Sequence, residues 1–258
     1  MSTAALAGRA AALRALHQPG RPVVLANIWD AGSARLVEAV GFAAVATSSG
    51  AVAESLGFAD NEAAPAEQMF AAAARISAAV ALPVTVDAEA GYGLPAAELV
   101  DRLIAAGAVG CNLEDSDHRA GGLVDPAAHA GWLAEVRAAA ERAGVPLVIN
   151  ARIDVFIRSG VTDPGEALAL VEPAVERARA YLAAGADCVY PIAAGREAVR
   201  RFVAGVDGAP VNAMCTPGGL SPADATAVGV ARISVGTALW RAQQEWLTGR
   251  LAELSRSR

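Results

Sequence analysis

The sequence predicts a single (β/α)8 barrel over residues 1–258, and three observations carry that prediction. Eight short apolar runs alternate with helical patterns along the whole chain. The runs are entered in two regular ways, by proline or by glycine. The length of 258 residues is also close to the roughly 250 of a typical barrel of this kind.

The runs are Val23–Ile28, Ala43–Ser48, Val84–Ala88, Gly110–Glu114, Leu147–Ala151, Cys188–Ile192, Val211–Met214 and Arg232–Val235. They lack polar alternation, which suits parallel strands covered on both faces. The first, third, fifth and seventh follow Pro22, Pro83, Pro146 and Pro210. At a strand's first position the missing N–H harms the ladder least. The second, fourth, sixth and eighth follow Gly41-Phe, Gly107-Ala, Gly185-Ala and Gly229-Val. Each glycine ends an Ala-rich helical stretch, where the residue just past the helix needs positive φ.

Leu94-Pro, Asp125-Pro, Asp163-Pro and Ser221-Pro mark helix starts, with proline suited to the first helical position. The Asp or Ser of the last three can cap the helix. No linker or charge run divides the chain. A doubly wound open sheet is the competing architecture, but it usually has fewer strands, and no GxGxxG follows the first strand. After the eighth strand, residues 237–254 carry Trp240, Trp246 and Leu247 at helical spacing. This added helix either closes the barrel or packs on a neighbouring subunit.

Composition narrows the function. The chain is 54% hydrophobic with a formal net charge of −6, and no Lys or Arg cluster offsets that charge, so a nucleic-acid partner is not expected. No apolar run approaches the 18 or more residues of a membrane span. Residues 1–16 are Ala-rich with Arg9 and Arg14, and lack the apolar centre of a signal peptide. Cys111, Cys188 and Cys215 form no CxxC or Cys/His pair, which points to buried reduced thiols. The expectation is a cytoplasmic enzyme with a small-molecule substrate.

In such a barrel the chemistry lies where strands end and βα loops begin. The third strand ends in Asp87-Ala-Glu89, whose two acids leave the same face of an extended strand. Glu114 ends the neighbouring strand and can approach the same point. Three carboxylates converging without cationic neighbours repel, and a divalent cation relieves them; all-oxygen ligands point to Mg²⁺ or Mn²⁺. Singly, each acid would serve as well in a helix cap or a rim ion pair.

Arg152 lies in an otherwise apolar strand, which requires an anionic partner. That partner is a substrate carboxylate, or else Asp154 or Glu114. Ser48, Ser49 and Gly50 offer donors to a carboxylate or oxyanion, and their loop leads towards Asp60. Asn27 in the first strand and Asn212 in the seventh join them as candidate substrate contacts. Tyr92, in the tight turn Gly91-Tyr92-Gly93, either approaches the metal site or packs.

At Val86-Asp-Ala-Glu-Ala-Gly-Tyr-Gly and Gly110-Cys-Asn-Leu-Glu-Asp the chain resembles the isocitrate lyase/phosphoenolpyruvate mutase superfamily. Asn150-Ala-Arg-Ile-Asp and the Ser-Ser-Gly stretch ending at Asp60 support the likeness. The resemblance implies a modified (β/α)8 barrel, often a homotetramer whose paired subunits exchange a C-terminal helix, with a dimer as the alternative. It implies Mg²⁺ held directly by Asp87, with Glu89, Glu114 and Asp60 reached through water. It further implies small 2-oxo or 2-hydroxy carboxylates as substrates, bound by Ser48, Ser49 and Gly50. Arg152 would then stabilise charge on an enolate-like species as a C–C or P–C bond is made or broken.

Two departures leave the reaction open. The Lys-x-Cys-Gly-His gate of the isocitrate and methylisocitrate lyases is replaced by Ser116-Asp-His-Arg-Ala-Gly-Gly-Leu-Val-Asp125. The Lys and Asn of the mutases are missing from the same loop, and Tyr190-Pro191 replaces a histidine common at the sixth strand's end. His118 is the one histidine near the expected strand ends, so it becomes the candidate acid or base, delivered by a mobile loop. The expected activity is a Mg²⁺-dependent lyase or decarboxylase. The alternatives are a phosphonopyruvate-type mutase or hydrolase, and a catalytically weak keto-acid-binding protein.

Overall fold

A computed structural model describes residues 1–161 and 163–256. Helix α1 (Thr3–Ala15) comes first, and the first predicted strand follows as two pieces, β1 (Val23–Leu25) and β2 (Asn27–Ile28). Next are α2 (Ala31–Val40), β3 (Val45–Thr47), α3 (Ser49–Ser55), α4 (Ala66–Ala79), β4 (Val84–Asp87), α5 (Ala96–Ala105), β5 (Gly110–Glu114) and α6 (Pro126–Arg142). Then come β6 (Val148–Ile153), α7 (Val155–Ser159), α8 (Pro164–Ala167), a 3-10 turn at Leu168–Leu170, α9 (Val171–Ala183) and β7 (Cys188–Pro191). The chain finishes with α10 (Arg196–Gly205), β8 (Asn212–Met214), α11 (Pro222–Ala227), β9 (Arg232–Ser234) and α12 (Ala238–Arg256).

The strands close into a ring. β2 to β7 pair in chain order, β1 pairs with β9, and β9 pairs with β8, all parallel. A parallel bridge between Val189 and Val211 joins β7 to β8, where the Val189 N–H donates to the Pro210 carbonyl at 3.0 Å. β1 and β2 are one barrel strand interrupted at Ala26, so eight strand positions make up the ring. Barrel strands tilt against their neighbours. The first segment therefore meets β9 with its first half and β3 with its second.

The sequence punctuation has a structural counterpart. Gly41, Gly107, Gly185 and Gly229 have φ of 94°, 79°, 98° and 88°, a region that costs an L side chain strain. Asp125 accepts from the Ala127 and Ala128 N–H groups at 3.0 Å, and Ser221 accepts from Asp224 at 3.1 Å. Pro95 stands one residue earlier than expected, at the N-cap of α5 rather than in its first turn. β6 runs two residues beyond the predicted run, which places Arg152 opposite Glu114 of β5.

The core lies between this ring and its helices. Leu13, Leu99, Leu103, Leu133 and Phe202 are fully buried, each contributing about 1.5–3 kcal/mol. At the N-terminal face, α1 is tied down by Arg14, which pairs with Asp187 at 2.7 Å. All three cysteines are buried and free. Among the described residues, no helix is long and apolar enough to cross a membrane.

The start of α12 is anchored on its own barrel. Trp240 stacks edge-on against Trp29 at 5.1 Å, and its ring N–H donates to Glu54 at 2.6 Å. Beyond that turn the helix leaves the barrel surface, exposing Trp246 and Leu251.

Candidate active site

At the C-terminal ends of the strands a cavity of about 670 Å³ opens, with Asp87 and Arg152 among its walls. Asp87 is the last residue of β4. Its N–H donates to the Thr47 hydroxyl at 2.8 Å, which fixes the strand end against β3. Its Oδ2 accepts from both the N–H and the hydroxyl of Ser49, at 3.2 and 3.0 Å. Its other oxygen, Oδ1, is buried and has no hydrogen-bond partner. Gly50 is packed against the same wall. A Cβ there would lie 2.9 Å from an Asp60 carboxylate oxygen and 3.2 Å from the Thr237 methyl, so only glycine fits.

Two strained loops support the next carboxylate. Asn61, Glu62, Glu89 and Tyr92 all have φ between 50° and 67°, an unfavourable region for side-chain-bearing residues. They are linked to one another. The Glu62 N–H donates to Glu89 at 2.6 Å, and the Tyr92 N–H donates to Glu62 at 2.6 Å. Glu89 Oε2 is buried without a partner. Burial pushes the Glu89 carboxyl up to about 7; the Glu62 N–H opposes this, and the charges of Asp87 and Asp60 add to it.

Glu114 closes β5 in different company. Arg152 Nη1 lies 2.5 Å from one of its oxygens and His118 Nε2 lies 2.7 Å from the other. Burial raises the Glu114 carboxyl, while Arg152 and His118 pull it back down. Arg152 also grips Asp154 in bidentate fashion, at 2.6 and 3.0 Å. Burial disfavours its charge, but Glu114 and Asp154 hold its pKa above the usual guanidinium value. Three N–H groups of the Arg152 fork are thus engaged, leaving two of its five for the cavity.

The cavity brings together Ser48, Ser49, Gly50, Asp60, Asp87 and Arg152. It does not bring together all the expected residues. The three acids do not converge free of cations, because Arg152 and His118 flank Glu114. Among the described residues, no three acid, His or Cys side chains are grouped closely enough to ligate one ion directly. Ser49 spends its hydroxyl and N–H on Asp87 rather than presenting both to solvent.

The structure places the four other candidates as follows. His118 does not ride a free loop, since Ser116 and Leu123 bridge the loop's base and both ring nitrogens of His118 are engaged. The Tyr92 ring packs edge-on against Phe70 at 5.6 Å and lines a narrow cleft beside the cavity, with Asp87 on the same wall. Asn27 is a structural tie: it donates to the Thr47 carbonyl at 2.9 Å and accepts from the Val235 N–H at 2.8 Å. Asn212 is fully buried, two residues below the cavity-lining Met214.

Sequence reasoning missed other walls of the cavity, Thr216, Thr237, Arg241 and Glu245. Arg241 had a usable signal, since it lies in the first turn after the eighth strand. Also missed was a polar layer beneath the floor. Asn150 and the buried Arg232 both donate to Asn112 Oδ1, at 2.8 and 3.0 Å, across strands that are not all neighbours.

Comparisons with known proteins give the chain's family. Residues 13–255 match the family profile described as phosphoenolpyruvate phosphomutase. A crystal structure of a candidate phosphonomutase from Burkholderia cenocepacia superposes with a TM-score of 0.89 at 40% identity, covering 96% of this chain and 99% of that one. The 2-methylisocitrate lyase of Escherichia coli K12 is 30% identical over 228 residues, 80% of this chain and 73% of its own. An oxaloacetate decarboxylase of Rhodopseudomonas palustris BisB18 is 32% identical over 194 residues, 70% of this chain and 62% of its own. The chain therefore belongs to the phosphoenolpyruvate phosphomutase family, among the lyases and mutases of the isocitrate lyase/phosphoenolpyruvate mutase superfamily.

Proposed function

We propose that the protein cleaves a C–C bond of a small 2-oxo or 2-hydroxy dicarboxylic acid, as a lyase or decarboxylase. The observation that carries this reading is one cavity holding Asp87, with its unpartnered oxygen, beside two guanidinium groups, Arg152 and Arg241. Arg152 is already neutralised by Glu114 and Asp154. Arg241 shares the α12 wall of the cavity with Glu245 and suits a second carboxylate on the substrate. The likeness to a methylisocitrate lyase and an oxaloacetate decarboxylase supports the same substrate class.

The donor set fits a divalent cation. Buried carboxylate oxygens without hydrogen-bond partners, Asp87 Oδ1 and Glu89 Oε2, are what an oxygen-ligated ion would satisfy. Asp87 would hold Mg²⁺ or Mn²⁺ directly, with Glu89, Glu114 and Asp60 reached through water. Such an ion supplies Lewis acidity to a carbonyl oxygen.

The protein's own groups do the rest. The two remaining Arg152 N–H groups donate to the oxygen on which charge develops, from a guanidinium held rigid by two carboxylates. Ser49 holds Asp87 in place, and Gly50 lets Asp60 and Thr237 close in on the start of α3. Arg241 orients the distal carboxylate, and Ile157, Ile192 and Pro217 reduce water access.

The test is turnover of oxaloacetate and of 2-methylmalate-type acids with Mg²⁺, followed by 2-oxo acid release. Full turnover by Asp87→Ala would refute the proposed metal role. The 40% identity to a candidate phosphonomutase favours a second reading, P–C chemistry, which release of phosphate from phosphonopyruvate would reveal. Tight calorimetric binding without turnover of any of these acids would instead favour a binding protein. We further propose that α12, whose Trp246 and Leu251 face solvent in one subunit, packs on a second copy. Light scattering in solution tests this, and a monomer would refute it.

A further inference from the structure

Residues 59–63 lie between α3 and α4 and carry Asp60, a wall of the cavity. Among the described residues, this segment makes only two hydrogen bonds, and both belong to Glu62. The Glu62 N–H donates to Glu89 Oε1 at 2.6 Å, and the Glu62 carboxylate accepts from the Tyr92 N–H at 2.6 Å. One residue thus clasps the turn after β4 twice, once as donor and once as acceptor.

The turn it grips is fixed independently. The Glu89 carbonyl accepts from the Glu114 N–H at 2.9 Å, and the Gly91 N–H donates to the Ala88 carbonyl at 2.9 Å. The segment itself is anchored only at its ends, where Phe58 packs against a small apolar cluster and Ala64 is buried. Between those anchors Asn61 and Glu62 sit at φ of 67° and 59°. Such a backbone costs free energy and persists only where surrounding contacts impose it. The Glu62 clasp supplies those contacts.

We propose that Glu62 is a positioning residue for the divalent cation. It draws residues 59–63 onto the β4 turn, and so holds the carboxylates of Asp60 and Glu89 together beside Asp87. Glu62 is not among the walls of the cavity, so it acts through those two acids and not as a ligand. Without its carboxylate the Tyr92 N–H has no acceptor, and the strained pair at 61–62 loses one of its two supports. The segment then lifts, taking Asp60 with it and releasing Glu89 Oε1. The metal part of the proposal rests on the Mg²⁺ reading above; the clasp does not.

The test combines two measurements on the full-length protein: hydrogen exchange by NMR without metal, and calorimetric titration of Mg²⁺. In the wild type the amides of Glu62 and Tyr92 are protected. In Glu62→Ala both exchange about 10-fold faster or more, and Mg²⁺ affinity falls about 10- to 100-fold. Glu62→Gln keeps a side-chain oxygen for the Tyr92 N–H and restores both. Thermal unfolding of Glu62→Ala stays near wild type, because Glu62 is half-buried and outside the core. Glu62→Gly removes the carboxylate while relieving the positive φ, and it shows the same loss of Mg²⁺ affinity. A role in stability alone predicts a lower Tm with unchanged Mg²⁺ affinity, and that result overturns the proposal. So does unchanged exchange at residue 62 in Glu62→Ala. If the wild type itself binds no Mg²⁺, the metal reading above fails, while the exchange rates still decide the clasp.

Discussion

The two ends of the barrel treat buried carboxylates in opposite ways. At the N-terminal face Asp187 is fully satisfied. It pairs with Arg14 at 2.7 Å and Arg137 at 2.5 Å, and accepts from the Ile149 N–H at 2.8 Å. At the C-terminal face Asp87 and Glu89 each keep a buried oxygen without a partner. Glu89 itself and three neighbours, Asn61, Glu62 and Tyr92, sit at strained positive φ. One end is arranged for stability, and the other holds unspent bonding capacity for a ligand. This polarity is that of barrel enzymes in general.

Matched substitutions at the two ends test the contrast most strongly. Asp87→Asn should lower kcat about 10³-fold, a loss of several kcal/mol of transition-state stabilisation, while Tm holds or rises slightly. Asp187→Ala should do the reverse. It strands two partly buried guanidinium groups, costing about 2–4 kcal/mol after allowance for their exposure, or about 5–10 °C in Tm. Its turnover per folded molecule should be unchanged. Equal loss of activity in both variants would break the comparison.

The pH dependence of stability should separate the two regimes next. Burial lowers His17 and His129 to about 4. The unfolded chain therefore binds their protons from about 6.5 downwards, and stability is lost as pH falls from there towards about 4. Glu89 has the opposite sign. Its carboxyl sits at about 7 in the fold, so its contribution is complete below about 4.5 and is lost as pH rises through 7. Metal-free Glu89→Gln should gain roughly 2–3 kcal/mol over wild type at pH 8 and little at pH 4. Thermal melts in chelator across this range check it, and a gain of equal size at both pH values would contradict the assignment. The smallest effect belongs to Tyr92→Phe, which keeps the edge-on contact with Phe70, changes stability by less than about 1 kcal/mol and leaves kcat within a fewfold of wild type.

The barrel was legible because its punctuation is local. A proline before a strand or a glycine after a helix acts through its own φ, so sequence order suffices. The division of the first strand at Ala26 was not legible, since it depends on which neighbour each half meets in three dimensions. Asp87, Arg152 and the Ser48–Gly50 stretch were legible because they terminate strands that all point one way. Asn212 misled because side chains two residues apart share a face but not a depth. The contacts of His118 were not legible, because Arg158 is 40 residues away in sequence and meets it only when β5, β6 and α7 are assembled.

We propose above that a divalent cation enters this site at Asp87. Calorimetric titration of Mg²⁺ into the metal-free wild type, Asp87→Ala and Asp187→Ala tests it most directly. The wild type and Asp187→Ala should each bind one ion per chain, and Asp87→Ala should show no binding. Undiminished Mg²⁺ binding by Asp87→Ala would contradict the claim.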